Sequence, residues 1–429
     1  MRLILTPATM PLPSVTAEFS PALASLHGLD GVNFFLAGVL AGFGPYVAVY
    51  LADQNWTQEK IGFVLSAGAL AGLLSQVPGG ELLDTIRSKR ALVALGVAMV
   101  AISAMIIEFR PSFPLVLIGL ALQAITGGIL GPAIAAISLG LVGHAALPER
   151  LGRNQRFSST GSLVAAALMG LVGYAFSYHA IYLLVVALTL PLFAALARIH
   201  AADIHFGRSC GAPHHHTTAR PARAGRATLW KSPALLVFGA CLFLFQLANA
   251  SMLPLAGEAL IYQGESRSSL IVSALIVLPQ VVVAMMAPWI GRQANQWGRR
   301  PLLLIGLGAL PIRALLFALT TDSPLLLVFQ LLDGVSGAMV GVLTPLVIAD
   351  ATNGTGRYNI AQGLVGTASG IGASVSTALF GIIATGFGHT AVFLSIASVA
   401  LVAVLIAWFL MPETRPSIAP QSPERPAVM

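Results

Sequence analysis

The chain has 429 residues, 56% hydrophobic and only 9% charged, with a formal net charge of +7. Soluble domains carry about 25% charged residues, so this chain cannot cover itself with polar surface in water. Its basic residues are scattered over short segments and form no folded basic domain, which excludes a nucleic-acid partner.

In chain order, residues 1–31 read as an N-terminal tail rich in Pro and small residues. Leu3-Ile4-Leu5 is too short an apolar core for a secretory signal. Twelve apolar stretches of helix-spanning length follow, at 32–52, 61–80, 91–107, 114–142, 157–177, 180–197, 234–257, 270–290, 301–319, 324–348, 361–387 and 391–411. A polar, Arg-rich linker, 198–233, separates the half 32–197 from the half 234–411, and 412–429 form a C-terminal tail. Runs this long exclude a β-barrel. The predicted fold is an all-α membrane protein of 12 transmembrane helices in two six-helix pseudo-repeat halves.

With both tails and the linker cytoplasmic, all 23 Lys and Arg fall on the inner side except Lys60, Arg110, Arg267 and Arg313. That is the positive-inside pattern of a multi-pass protein in a plasma membrane of bacterial inner-membrane type, with contact to anionic lipid on that side.

Two short loops repeat. Gly80-Glu81-Leu82-Leu83-Asp84-Thr85-Ile86-Arg87-Ser88-Lys89-Arg90 follows the second span, and Gly291-Arg292-Gln293-Ala294-Asn295-Gln296-Trp297-Gly298-Arg299-Arg300 follows the eighth. Gln123–Gly127 in span four likewise pairs with Gln330–Gly334 in span ten, and Gly152-Arg153-Asn154 with Gly356-Arg357-Tyr358-Asn359. A duplicated six-span unit is the architecture of solute transporters.

On these residues the chain resembles the major facilitator superfamily. The first loop carries that family's signature at Gly80, Asp84, Lys89 and Arg90, with Thr85 in place of a basic residue and Arg87 in place of Gly. The second keeps Gly291, Gly298 and Arg299, with Asn295 in place of the acid and Arg300 following in the same loop. The resemblance covers residues 30–411 and implies alternating access about a central cavity. It also implies gating: Asp84 would meet the inner end of span eleven, whose N-terminus carries positive partial charge, while Asn295 would form a weaker second latch and the basic residues would anchor at headgroup level. Two departures weaken a drug–proton antiporter assignment: Gln123 stands where proton-coupled members carry Arg, and span five has no Gly-Pro pair.

Only Arg313 and Asp333 lie deep within spans. Arg313 falls about 18 Å along span nine and Asp333 about 14 Å along span ten from the opposite face. Both therefore sit near mid-bilayer, where an ionised group needs a partner or water. Either the two form a static pair, or one faces the cavity; the family resemblance makes Asp333 the cavity residue and Arg313 its partner. Gln246 and Asn249 share a helix face on span seven, and Gln280 sits at mid-depth on span eight. With Gln123, these amides are candidates either for substrate contact or for hydrogen bonds between helices.

Cys210 and Cys241 have no metal-site spacing and are not expected to bridge. The linker's His200, His205, His214, His215 and His216 read as a solvated segment rather than a preformed metal site. No Gly-rich phosphate loop and no nucleophile–base arrangement occurs. The expectation is a non-enzymatic, cofactor-free, monomeric secondary transporter of a small organic solute, with efflux coupled to protons first. Uptake or facilitated exchange of a metabolite is the alternative, and a membrane sensor that moves no solute comes third.

Overall fold

The computed structural model describes residues 22–41, 45–109, 111–212, 229, 232–262, 268–320 and 322–416. The tails before 22 and after 416, Gly42 and Gly44, Arg110, Arg267 and His214–His216 lie outside them. Ten helical stretches are long and apolar enough to cross a membrane. Two of them are far too long for one crossing. Helix α5 (Phe113–Ala175) would extend about 95 Å if straight, three times a bilayer core. Gly143, at φ 70° and ψ 178°, breaks it. Asn154 donates to the Ser138 hydroxyl across that break at 2.7 Å, so the two limbs fold back on each other. Helix α13 (Tyr358–Leu410) breaks in the same way at Gly388, at φ 83° and ψ −179°. A left-handed φ of this kind suits glycine, which has no Cβ to clash. Counting both limbs of each helix gives the twelve predicted spans.

The remaining elements follow the predicted order. The first crossing is α1 (Leu23–Ala41) with α2 (Pro45–Asp53), followed by α3 (Gln58–Thr85), α4 (Lys89–Phe109) and α6 (Tyr178–Ala197). After the linker come α8 (Pro233–Asn249) and α9 (Met252–Tyr262), then α10 (Ser268–Trp297), α11 (Arg299–Leu319) and α12 (Ser323–Ala351). Two apolar cores form. One is built from residues of the first half, including Leu29, Val97 and Tyr182; the other is built mainly from the second, including Phe238, Phe317 and Phe393. Outward-facing Phe109, Leu319 and Phe409 stay exposed, as a lipid-facing surface requires.

Three expected boundaries shift. Helix α1 begins at Leu23, so 23–31 belong to the first span and not to a tail. Asp30 explains why: it is buried and ion-paired with Arg150 and Arg153 of α5. The first part of the linker is also folded. It forms a 3-10 turn at Ala201–Asp203 and a short helix, α7 (Phe206–Ser209). Ser25 ties it down by donating to Asp203 at 2.6 Å, and Arg90 donates to the Ile199 carbonyl at 2.9 Å. At the C-terminus, Glu413 accepts from the N–H groups of Arg299 (2.8 Å) and Arg300 (3.1 Å), capping α11.

The halves meet closely at the end that carries the basic loops. Glycines allow it: a Cβ at Gly80 would strike the Asn359 backbone, one at Gly363 the Gln76 backbone, and Gly152 and Gly291 face Ala287 and Pro148 in the same way.

Candidate functional site

A cavity of about 720 Å³ lies between the halves, within the range of small-molecule sites. Among the described residues, Asp333 is the only charged side chain on its wall. The carboxylate is reached because α12 carries it at mid-depth with its side chain 27% exposed, while Arg313 of α11 lies directly behind at 2%. Arg313 Nη1 ion-pairs with Asp333 Oδ1. Its Nη2 donates to Asn249 Oδ1 at 2.5 Å and contacts Met252 Sδ at 3.0 Å. Gln330 Nε2 adds a long contact to Asp333 Oδ2 at 3.4 Å. The guanidinium is thus a fixed cation anchored between α8, α9 and α12, and the carboxylate is its solvent-facing partner.

Gln246, Asn249 and Gln280 also line the cavity, as the sequence suggests. Two candidates do not. Gln123 is absent from the wall, although Gly127, one turn on, is present; its side chain points back along its own helix toward Gly127. Arg313 is likewise behind the wall, because burial against Asn249 and Met252 holds it there. The candidate amides named from the sequence leave out Gln76, Gln155 and Gln362, which line the cavity from α3, α5 and α13. The last two sit close in sequence to residues of the basic end, and only the packing places them at the cavity.

The first repeated loop closes the basic end. Asp84 Oδ1 accepts from the Asn359 N–H (3.2 Å) and Asn359 Nδ2 (2.7 Å), and Oδ2 accepts from the Ile360 N–H (3.1 Å). A carboxylate therefore caps the first turn of α13, where free N–H groups and the helix dipole favour negative charge. Gly80 supplies the close approach that makes this contact reachable. Lys89 departs from expectation: it is fully buried and not at headgroup level. Its Nζ donates to the Leu83 carbonyl at 2.7 Å, holding the C-terminal turn of α3, and lies 5.0 Å from the Phe206 ring.

The linker seals the same end. Tyr358 N–H donates to the Cys210 carbonyl (3.1 Å), Gly356 N–H to the Gly211 carbonyl (3.1 Å) and Asn359 Nδ2 to the Ser209 carbonyl (3.2 Å). On the other flank His205 N–H donates to the Gly140 carbonyl at 3.2 Å. The segment therefore bridges α5 and α13 beneath the cavity. Cys210 is buried there, its Sγ 3.6 Å from Lys89 Nζ and 3.7 Å from the Asp84 carbonyl. Burial pushes its thiol pKa up against the opposing pull of Lys89. Burial also lowers the pKa of His205.

The second loop works differently. Gly291 packs against Pro148 and Glu149 as its counterpart does, but Asn295 is exposed and makes no hydrogen bond among the described residues. An amide has no charge to hold against a helix end, so the second latch is missing. Arg299 is buried instead in an ion pair with Asp350 (2.8 Å) and donates to the Ala294 carbonyl (2.5 Å). Arg300 donates to the Trp408 carbonyl. These contacts stay within the second half.

Residues 29–276 and 243–428 match the family model described as Major Facilitator Superfamily. An uncharacterized MFS-type transporter of Mycobacterium tuberculosis is 37% identical over 389 residues, covering 90% of this chain and 93% of that protein. The class B tetracycline resistance protein of Escherichia coli is 32% identical over 142 residues, 33% of this chain and 34% of that one. Among solved structures, the human organic anion transporter MFSD10 superposes with a TM-score of 0.67 at 15% identity, covering 90% of this chain and 98% of that one.

Proposed function

The chain belongs to the major facilitator superfamily, and from that premise we propose that it exports a small organic solute in exchange for protons. One observation carries the reading: a single carboxylate, Asp333, faces the cavity and is held by a buried arginine. An intramembrane carboxylate with access to water and a fixed counter-charge can exchange a proton as its surroundings change. Efflux is favoured over uptake by the partial relationship to a tetracycline resistance protein and to multidrug resistance protein 2 of Bacillus subtilis, 29% identical over 128 residues.

With the basic end cytoplasmic, as the distribution of Lys and Arg supports, both termini and the linker lie inside. The two six-helix halves, 23–197 and 233–410, then rock about the cavity in one monomer, and the closed basic end is the cytoplasmic one. Asp84, Gly80 and the 198–212 segment form the gate that must part for the other state. Cys210 reports on that gate. Because thiolate is the reactive form, and this thiol is buried with a raised pKa, maleimide should label Cys210 slowly in the closed state. Labelling should accelerate when the gate opens, with Cys210→Ser as the unlabelled control.

The test of export is a proton readout. In inverted membrane vesicles energised to an acid interior, addition of a transported compound should dissipate the pH gradient, seen as recovery of a quenched acridine dye. A panel of small organic compounds that never alters the gradient, with the protein present and folded, would reject proton-coupled export.

A further inference from the structure

Five glutamines from five helices line the cavity: Gln76 of α3, Gln155 of α5, Gln246 of α8, Gln280 of α10 and Gln362 of α13. None of their side chains has a hydrogen-bond partner among the described residues, and Gln362 Nε2 is fully shielded as well. All five side chains are partly exposed on the cavity wall, so their carboxamides are free to meet a solute there. Each carboxamide presents two donors and one acceptor oxygen. Hydroxyl and amide groups, which both donate and accept, are their natural complements.

Charge narrows the class further. Among the described residues no Lys, Arg or His lines the cavity, so a carboxylate or phosphate would find no exposed cation there; Arg313 is buried and already bound to Asp333 and Asn249. The lone carboxylate is neutralised by that same arginine. A lipophilic cation is best held by aromatic faces, and Phe245 is the only aromatic residue on the wall among the described residues. Resting on the reading of this cavity as the transport site, we propose that its solute is uncharged and carries several hydroxyl or amide groups. The glutamines of both halves would hold it as a bridge, so that binding draws the halves together.

The experiment uses the full chain in lipid nanodiscs and follows its thermal midpoint. The added compounds are neutral di- and trisaccharides and N-acetylated amino sugars, with tetraphenylphosphonium and benzoate as cation and anion. Polyols stabilise proteins nonspecifically by exclusion from their surface, so the reading is the saturable shift that wild type shows beyond Gln246→Leu and Gln280→Leu. Gln246→Met serves if the leucine variant fails to fold. A neutral compound should bind with about tenfold loss of apparent affinity for each carboxamide removed. Stabilisation only by the cation or anion overturns the proposal, as does a neutral series whose shifts are identical in wild type and variants, or absent altogether. The transport reading is separable. Neutral binding without flux removes transport and leaves the solute class, whereas gradient-driven flux of an ion leaves transport and removes the class.

Discussion

Asp333→Asn should abolish pH-gradient-driven transport while leaving a folded protein. The substitution keeps the shape and an acceptor for Arg313 but removes the only titratable group on the cavity wall among the described residues. Arg313 would lose its counter-charge yet keep Asn249 as a hydrogen-bond partner at 2.5 Å. The stability cost should therefore be about 1–3 kcal/mol, the range for losing a charged hydrogen-bond partner. The check pairs a thermal melt with the dye-recovery assay. Arg313→Leu should be the more damaging change to folding, because it leaves Asp333 without its ion pair and opens a gap against Asn249 and Met252. If Asp333→Asn keeps gradient-driven transport, the pair serves packing and not coupling.

The second large effect belongs to the gate. Asp84→Ala should destabilise the closed basic end by about 2 kcal/mol, the upper value for loss of a helix cap, equivalent to about a thirtyfold shift in the closed–open balance. Three hydrogen bonds vanish together: those from the Asn359 N–H, Asn359 Nδ2 and Ile360 N–H. The two backbone N–H groups are at a helix N-terminus and gain no intrahelical partner in exchange. Maleimide labelling of Cys210 should accelerate by the same factor, and Asp84→Asn should give an intermediate rate, since it keeps an acceptor but no charge. The corresponding change at Asn295 should leave the labelling rate alone, because that side chain is exposed and unpaired among the described residues. Equal effects at Asp84 and Asn295 would contradict the one-sided latch.

The membrane-spanning architecture was legible in the sequence because hydropathy and span length report the bilayer directly. The repeat of the loops was legible in the residues themselves, whereas the contact of Asp84 with the start of α13 was implied by the family resemblance; Gly80 makes the close approach and Asp84 the helix-end contact. Rise per residue put Arg313 and Asp333 at a similar depth and left open whether they pair; the ion pair itself is seen only in the fold. Other features depend on three-dimensional packing. Asp30 sits before the first long apolar run and reads as tail until Arg150, 120 residues on, is seen beside it. Residues 198–212 are polar enough to pass for a solvated linker, yet their backbone supplies the acceptors for the start of α13. Lys89 looks like a headgroup anchor and is a buried cap. Gln155 and Gln362 are indistinguishable in sequence from interfacial polar residues, and the cavity alone gives them a purpose.

The central claim is that this protein moves a solute through the Asp333 cavity at the expense of a proton gradient. Its most direct test is flux of a small-molecule panel into proteoliposomes of purified protein, with a pH gradient imposed and then collapsed by a protonophore. Accumulation against the solute's own gradient is expected for at least one compound, lost on adding the protonophore and lost in Asp333→Asn. Flux that runs only downhill and ignores the pH gradient would contradict the coupling and favour facilitated exchange. Absence of flux for every compound would contradict transport and leave a membrane sensor.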